Sequence, residues 1–159
     1  MPNQFGSRQL TALSMYDGTL YSTELKQQIV SNLGLKFSVL IMSGGYGLLR
    51  PDETITEYDV NIKETTNVWL TCLPAVLQGY VAARGIREVH GIFSTSGAYL
   101  HIGRECKRLC RPTTFRLYSL GYHGPAAQQR VPQLQSELFL RLSKGELPAS
   151  VDGVSIRIE

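Results

Sequence analysis

The stretch Val39-Leu40-Ile41-Met42-Ser43-Gly44-Gly45-Tyr46-Gly47-Leu48-Leu49-Arg50-Pro51 decides how the rest of the chain is read. It opens as an unbroken apolar run, breaks into Ser-Gly-Gly-x-Gly and ends on an arginine and a proline. An apolar run that ends in glycines is how a buried strand hands its chain to a loop a ligand can approach closely. A tight connection with no ligand has the same composition, so this stretch alone leaves both readings open.

Working outward, the pattern alternates. On the N-terminal side, residues 1–9 read as a frayed lead-in, Leu10 to Leu13 as a short strand and Asp17-Gly18 as a turn. Ser22 suits the cap of a helix running to Leu33, with Leu25 and Ile29 inward and Gly34 as its stop. On the C-terminal side a loop covers roughly 43–64, and a helical pattern then runs from Thr66 to Ala83. Pro74 inside it predicts a kink or two consecutive helices, and Trp69, Leu73, Val76, Leu77 and Tyr80 form its expected core side. Glu88 to Phe93 is a strand, followed by a helix to Leu109 with Tyr99, Ile102, Cys106 and Leu109 inward and Pro112 as its stop. Thr114 to Tyr118 is another strand. Pro132 suits the first turn of a last helix, with Leu134, Leu138 and Leu142 inward, and the tail from Val154 to Ile158 reads as an edge strand. Strands alternating with helices predict one α/β domain over 1–159, a layered, mostly parallel sheet flanked by helices in a Rossmann-like manner.

Composition sets limits. The chain has 159 residues, 43% hydrophobic and 18% charged, enough for one ordinary core. No run nears the ~20 apolar residues of a membrane span, and the start lacks a secretory apolar core, so a cytoplasmic protein without a membrane partner is expected. Cys72, Cys106 and Cys110 are an odd count without framework spacing; Cys106 and Cys110, four apart on one helix face, are a weak zinc signal without a histidine pair nearby and read as small buried hydrophobes, so no metal and no cofactor are expected. A net charge of +3 does not announce a nucleic-acid binder.

Three predicted strands end in small polar loops: Ser43-Gly44-Gly45, Ser94-Thr95-Ser96-Gly97 and Ser119-Leu120-Gly121. In parallel α/β sheets such loops share one edge, where ligands bind. The Ser94–Gly97 loop leads into a helix and could hold a phosphate, or its serines could be plain caps. Neither a P-loop nor a dinucleotide fingerprint is present, and Ser43 lacks the context of an esterase nucleophile. Arg50, stiffened by Pro51, could pair with an anion. Among the loop carboxylates Asp17, Asp52, Glu57 and Asp59, the first choice is Asp59, beside Tyr58. His123 is the one histidine placed to carry a proton, His90 and His101 reading as strand and helix-surface residues. Arg104, Lys107, Arg108 and Arg111 make a basic helix face, either solvated or a phosphate-contacting stripe.

The segment from Ser43 to Pro51, with Ile55 and Tyr58 after it, resembles the signature of the YaaA family of peroxide-stress proteins, Ser-Gly-x-Tyr-Gly-x-Leu-Arg-Pro followed by Pro-Tyr. Tyr16 to Tyr21 and Phe93 to Tyr99 are similar to two further family segments, so the likeness covers about residues 12–102. The resemblance implies an α/β domain linked to oxidative stress and DNA protection, with Gly18, Tyr21, Ser43, Gly44, Tyr46, Gly47, Arg50, Pro51, Tyr58, Ser96 and Tyr99 lining a shared cleft. This chain departs from the family in lacking its first strand, its Ser-Pro-Ala-Lys loop and the helical region implicated in DNA contact. Asp59 stands where the family has arginine and Ala98 where it has glutamate. A smaller stand-alone relative is implied, and a missing first strand leaves a sheet edge open to a second copy in a homo-oligomer.

The functional expectation is a nucleotide or nucleobase ligand held by Ser43, Gly44, Gly45, Tyr46, Gly47, Arg50, Tyr58, Ser94, Ser96, Tyr99 and Tyr21. Cleavage or exchange at an N-glycosidic bond would use Asp59 and Asp17. The alternative is a non-catalytic DNA-binding protein of the oxidative-stress response that uses Arg104, Lys107, Arg108 and Arg111.

Overall fold

A strand, β1 (Phe5–Thr11), opens the part of the chain described by the computed structural model, which comprises residues 5–18, 20–32, 37–95, 97–110 and 114–159. Thr11 then caps one helical turn, α1 (Ala12–Met15), by accepting from the Ser14 amide. This corrects the frayed lead-in and the Leu10–Leu13 strand: pairing begins earlier and stops where a threonine cap starts a helix. In α2 (Thr23–Asn32) Leu25 and Ile29 are buried, and Ser22 Oγ accepts from the Leu25 amide as its place in the sequence suggests. The expected end of that helix, Leu33 and Gly34, lies outside the described residues, as does Pro112.

The decisive stretch folds as a hairpin. Strand β2 (Ile41–Ser43) turns through residues 44–46 into β3 (Gly47–Leu49) and pairs antiparallel with it. Gly47 closes the turn at φ +80°, a conformation that side chains rarely adopt. After it, β4 (Thr54–Tyr58) pairs antiparallel with β1. The long loop expected over 43–64 instead contains strands β3 and β4, joined by turns.

Helix α3 (Ile62–Arg84) is capped by the Asn61 side chain and stopped by Gly85 in the left-handed region. Pro74 is buried inside it without dividing it, so the two expected helices are one element. Strand β5 (Glu88–Ser94), helix α4 (Ala98–Leu109) and strand β6 (Thr114–Leu120) make a β-α-β unit with parallel β5 and β6. Helix α5 (Ala127–Ser143) begins before the turn that Pro132 suggested. A small hairpin, β7 (Ser150–Val151) with β8 (Val154–Ser155), precedes β9 (Arg157–Ile158), which pairs antiparallel with β6.

The class is mixed α/β, with small and mixed sheets. Among the described residues the parallel pairing is that of β5 with β6, and the finer expectation of one layered, mostly parallel sheet goes beyond these pairings. Strand β6 shows how the core is divided. Phe115 and Leu117 pack with α3 and α4 around Leu73, Leu77, Ile102 and Cys106, whereas Tyr118 and Leu120 pack with Leu134 and Leu138 of α5. The hairpin is divided the same way: Met42 and Leu48 join the α3 cluster, while Ile41 and Leu49 pack with Ala12 and Ile55. Three residues expected inside are outside, Val76 at 51%, Tyr99 at 39% and Leu109 at 48% exposure. Cys106 and Cys110 are buried and free, matching their reading as small hydrophobes. Among the described residues no helix is long and apolar enough to cross a membrane.

Candidate functional site

Ser43 is the last residue of β2 and is almost wholly buried, a place where a hydroxyl needs partners. It has several. The Tyr46 amide donates to Ser43 Oγ at 3.1 Å, which closes the turn. The Tyr58 hydroxyl from the end of β4 lies 2.7 Å from Ser43 Oγ. The Tyr16 hydroxyl, just past α1, is hydrogen-bonded to that of Tyr58. Three hydroxyls from three distant segments thus form one hydrogen-bonded chain, Tyr16–Tyr58–Ser43, with the Tyr58 hydroxyl at its centre.

Aromatic rings wall these hydroxyls. Tyr16 and Tyr21 stack with centroids 5.6 Å apart, and Tyr46 meets Tyr58 edge-on at 5.3 Å. Tyr46 is anchored in turn, its hydroxyl donating to the Thr56 carbonyl and accepting from the Thr56 amide, each at 3.0 Å. The Gly44 carbonyl accepts from Thr65 Oγ1 and from Trp69 Nε1 of α3, both at 2.8 Å. The Gly44 backbone lies close enough to the Tyr99 phenol, in the first turn of α4, to act on it electrostatically, which brings that helix start to the glycine turn. Gly121, at the end of β6, lies against the Thr95 side chain in the loop before α4. Neighbour by neighbour, the turn after β2 therefore meets the start of α4, and the loop before α4 meets the end of β6.

Burial is the main reason the phenols of Tyr16, Tyr21 and Tyr99 are held above the ordinary tyrosine range. Other phenols nearby push the same way: Tyr58 beside Tyr16, and both Tyr99 and Tyr58 beside Tyr21. The Ser43 hydroxyl near Tyr16 and the Gly44 backbone near Tyr99 oppose this without reversing it. All three stay protonated at neutral pH. The site accordingly offers neutral O–H donors and flat rings and has no fixed charge of its own.

Several residues singled out in the sequence do come together here: Ser43, Gly44, Gly45 (against the Tyr58 ring), Tyr46, Tyr58, Tyr21 and Tyr99. Others stand elsewhere. Arg50 lies at the opposite end of the hairpin, paired through Nε with Glu53 at 3.2 Å and Asp52 at 3.7 Å. Gly47 packs under Leu73 and Trp69 and acts in the turn. Asp17 has a side chain 93% exposed and pairs with Lys26 at 3.6 Å; Asp59 is exposed as well, and neither carboxylate bonds to the three hydroxyls among the described residues. Ser94 Oγ accepts from Gln135 Nε2 at 3.4 Å, His123 is exposed, and Ser96 falls outside the described residues.

The basic face of α4 is largely engaged. Arg104 grips Glu159 with two hydrogen bonds of 2.7 and 2.9 Å, and its guanidinium is the main cause that holds the Glu159 carboxyl below the usual carboxylate range. Arg108 forks Glu105 at 2.6 and 3.1 Å. Lys107 is partly buried beside them, and Arg111 lies outside the described residues. Among the described residues no three of His, Cys, Asp and Glu are grouped to hold a metal.

Sequence reasoning missed Tyr16 as a site residue and gave Trp69 to the core alone. Tyr16 and Tyr21 flank an Asp-Gly turn that brings their rings together, a usable signal. Nothing in the sequence marks Trp69 Nε1 as the donor that fixes the Gly44 carbonyl. Comparison with protein-family models, with curated proteins and with solved structures finds no match for this chain.

Proposed function

We propose that this chain binds a nucleotide or another nucleobase-containing ligand where the glycine turn after β2 meets the start of α4. The observation that carries the reading is the convergence of four phenols, Tyr16, Tyr21, Tyr58 and Tyr99, on Ser43 and Gly44. Neutral hydroxyls suit the donor and acceptor edge of a base, and Tyr99, partly exposed at the rim, offers a ring for stacking. The N-cap of α4 is Gly97, which has no side chain to satisfy the first amides of the helix, so a phosphate is the natural partner there. The resemblance to YaaA proteins points the same way, since Tyr21, Ser43, Gly44, Tyr46, Tyr58 and Tyr99 are among the residues it would assign to a cleft.

The proposal includes a layered, Rossmann-like arrangement in which β2 ends on the same rim as β5 and β6. The Tyr99–Gly44 and Thr95–Gly121 contacts support that arrangement. Cleavage or exchange at an N-glycosidic bond is the chemical extension of the reading. It requires a carboxylate at the ligand, and Asp17 and Asp59 adjoin Tyr16 and Tyr58 in sequence. DNA binding is the weaker reading, because carboxylates already engage Arg104 and Arg108.

Thermal unfolding with a panel of nucleosides, nucleotides and free bases tests the binding step. A true ligand adds unfolding free energy in proportion to the logarithm of its excess over Kd, about 2.7 kcal/mol at a hundredfold excess, and the melting temperature rises with it. Tyr99→Ala is expected to weaken that effect tenfold or more. A flat response across the whole panel would remove the reading.

A further inference from the structure

A second recess lies away from the phenols. Leu40 and Leu48 of the hairpin region and Val76 of α3 form its apolar floor, and its volume is about 200 Å³. The helix separates the two places: Trp69 touches Gly44, whereas this recess is lined by Val76, Tyr80 and Arg84. From Trp69 to Tyr80 the helix rises about 16 Å.

Charge at the recess is uneven. Arg50 and Glu53 both line it and neutralise each other as an ion pair of 3.2 Å, with Asp52 a second partner of Arg50. Arg84 stands at another part of the wall, its guanidinium carbon 4.7 Å from the Tyr80 ring centroid, and no carboxylate pairs with it among the described residues. Stacking on Tyr80 restricts the guanidinium plane while leaving its N–H fork available to an anion. Three aliphatic side chains beside an unneutralised, oriented guanidinium complement a molecule with an anionic head and a short apolar body.

We infer that this recess binds a small aliphatic monocarboxylate, with the carboxylate on Arg84 and the hydrocarbon over Leu40, Leu48 and Val76. Its size sets the length. A recess of this small volume suits a short chain, for which hexanoate is the mid-length probe. A drug-sized ligand would need a larger pocket.

Isothermal titration of the full chain with butyrate, hexanoate, octanoate, 1-hexanol and inorganic phosphate tests the inference. Hexanoate is expected to bind saturably. Affinity should rise roughly threefold to fourfold per methylene from butyrate to hexanoate and level off by octanoate. Hexanol and phosphate, each carrying half of the required chemistry, should bind at least about tenfold more weakly. Arg84→Gln should bring hexanoate down to the level of hexanol. Val76→Asp, at a half-exposed position, should abolish binding without unfolding the chain, and Tyr58→Phe should leave hexanoate binding unchanged. Equal binding of hexanoate and hexanol, no dependence on chain length, or an Arg84→Gln variant as tight as the parent would each overturn it. The same holds if hexanoate shows no saturable heat, whatever the nucleotide panel reports.

Discussion

Gly44 is constrained from two sides. A Cβ there would come within 2.8 Å of the Ile62 amide nitrogen and 2.9 Å of the Val60 carbonyl oxygen, both backbone atoms that cannot swing aside. Gly44→Ala is therefore expected to destabilise by about 1–3 kcal/mol and to displace the turn that carries Ser43 and Tyr46, which a denaturant titration would register. The carbonyl of the same residue accepts from both Thr65 and Trp69. Trp69→Phe or Thr65→Val alone leaves it one donor, at a cost of about 1 kcal/mol for the bond lost. The double variant leaves a buried carbonyl unpaired, so its loss should exceed the sum of the singles in a double-mutant cycle. Additive losses would mean that water replaces the second donor. Of these residues the glycines were legible as a turn, because their composition announces one. The donors were not, since a hydrogen bond spanning more than twenty residues leaves no local pattern.

Helices show where periodicity stops informing. A repeat of apolar residues gives the direction of the buried stripe and not its width, which depends on what packs against it. In α3 the stripe through Leu73, Leu77 and Val81 is covered, while Val76 lies beyond its edge. Leu73→Ala is accordingly expected to cost about 2–5 kcal/mol, against a change within about 0.5 kcal/mol for Val76→Ala. Similar losses at the two positions would contradict the observed packing. Helix α4 repeats the lesson, with Ile102 and Cys106 inside and Tyr99 and Leu109 outside. Strand β3 has three residues, too few for alternation to be visible, which is why the return arm of the hairpin read as loop although the apolar run marked its first arm. The seven-residue strands β5 and β6 were legible because each is long enough to declare itself between two helical patterns.

At the scale of the whole molecule, the α/β class follows from the order of elements, whereas the phenol site depends on four segments meeting and could be read only in part. That meeting has a thermodynamic signature. The phenols of Tyr16 and Tyr21 are raised by burial, and the Cys106 thiol is pushed up to about 12 by burial with Cys110 beside it. Each group is neutral in the folded chain at a pH where the unfolded chain has begun to ionise. Stability should therefore be insensitive to them below about pH 8 and fall above it, first through the thiol and then the phenols, with a slope of up to about 1.4 kcal/mol per pH unit for each group between its two pKa values. Urea unfolding at stepped alkaline pH measures this, and stability that rose between pH 9 and 12 would contradict it. The proposed activity is tested most directly by NMR of the chain carrying ring-labelled tyrosines, titrated with the nucleobase ligand that stabilises it best. The account predicts saturable shifts at Tyr58, Tyr21 and Tyr99 with Tyr80 and Tyr122 unmoved; a ligand that shifts Tyr80 or Tyr122 and leaves Tyr58 and Tyr99 untouched would contradict it.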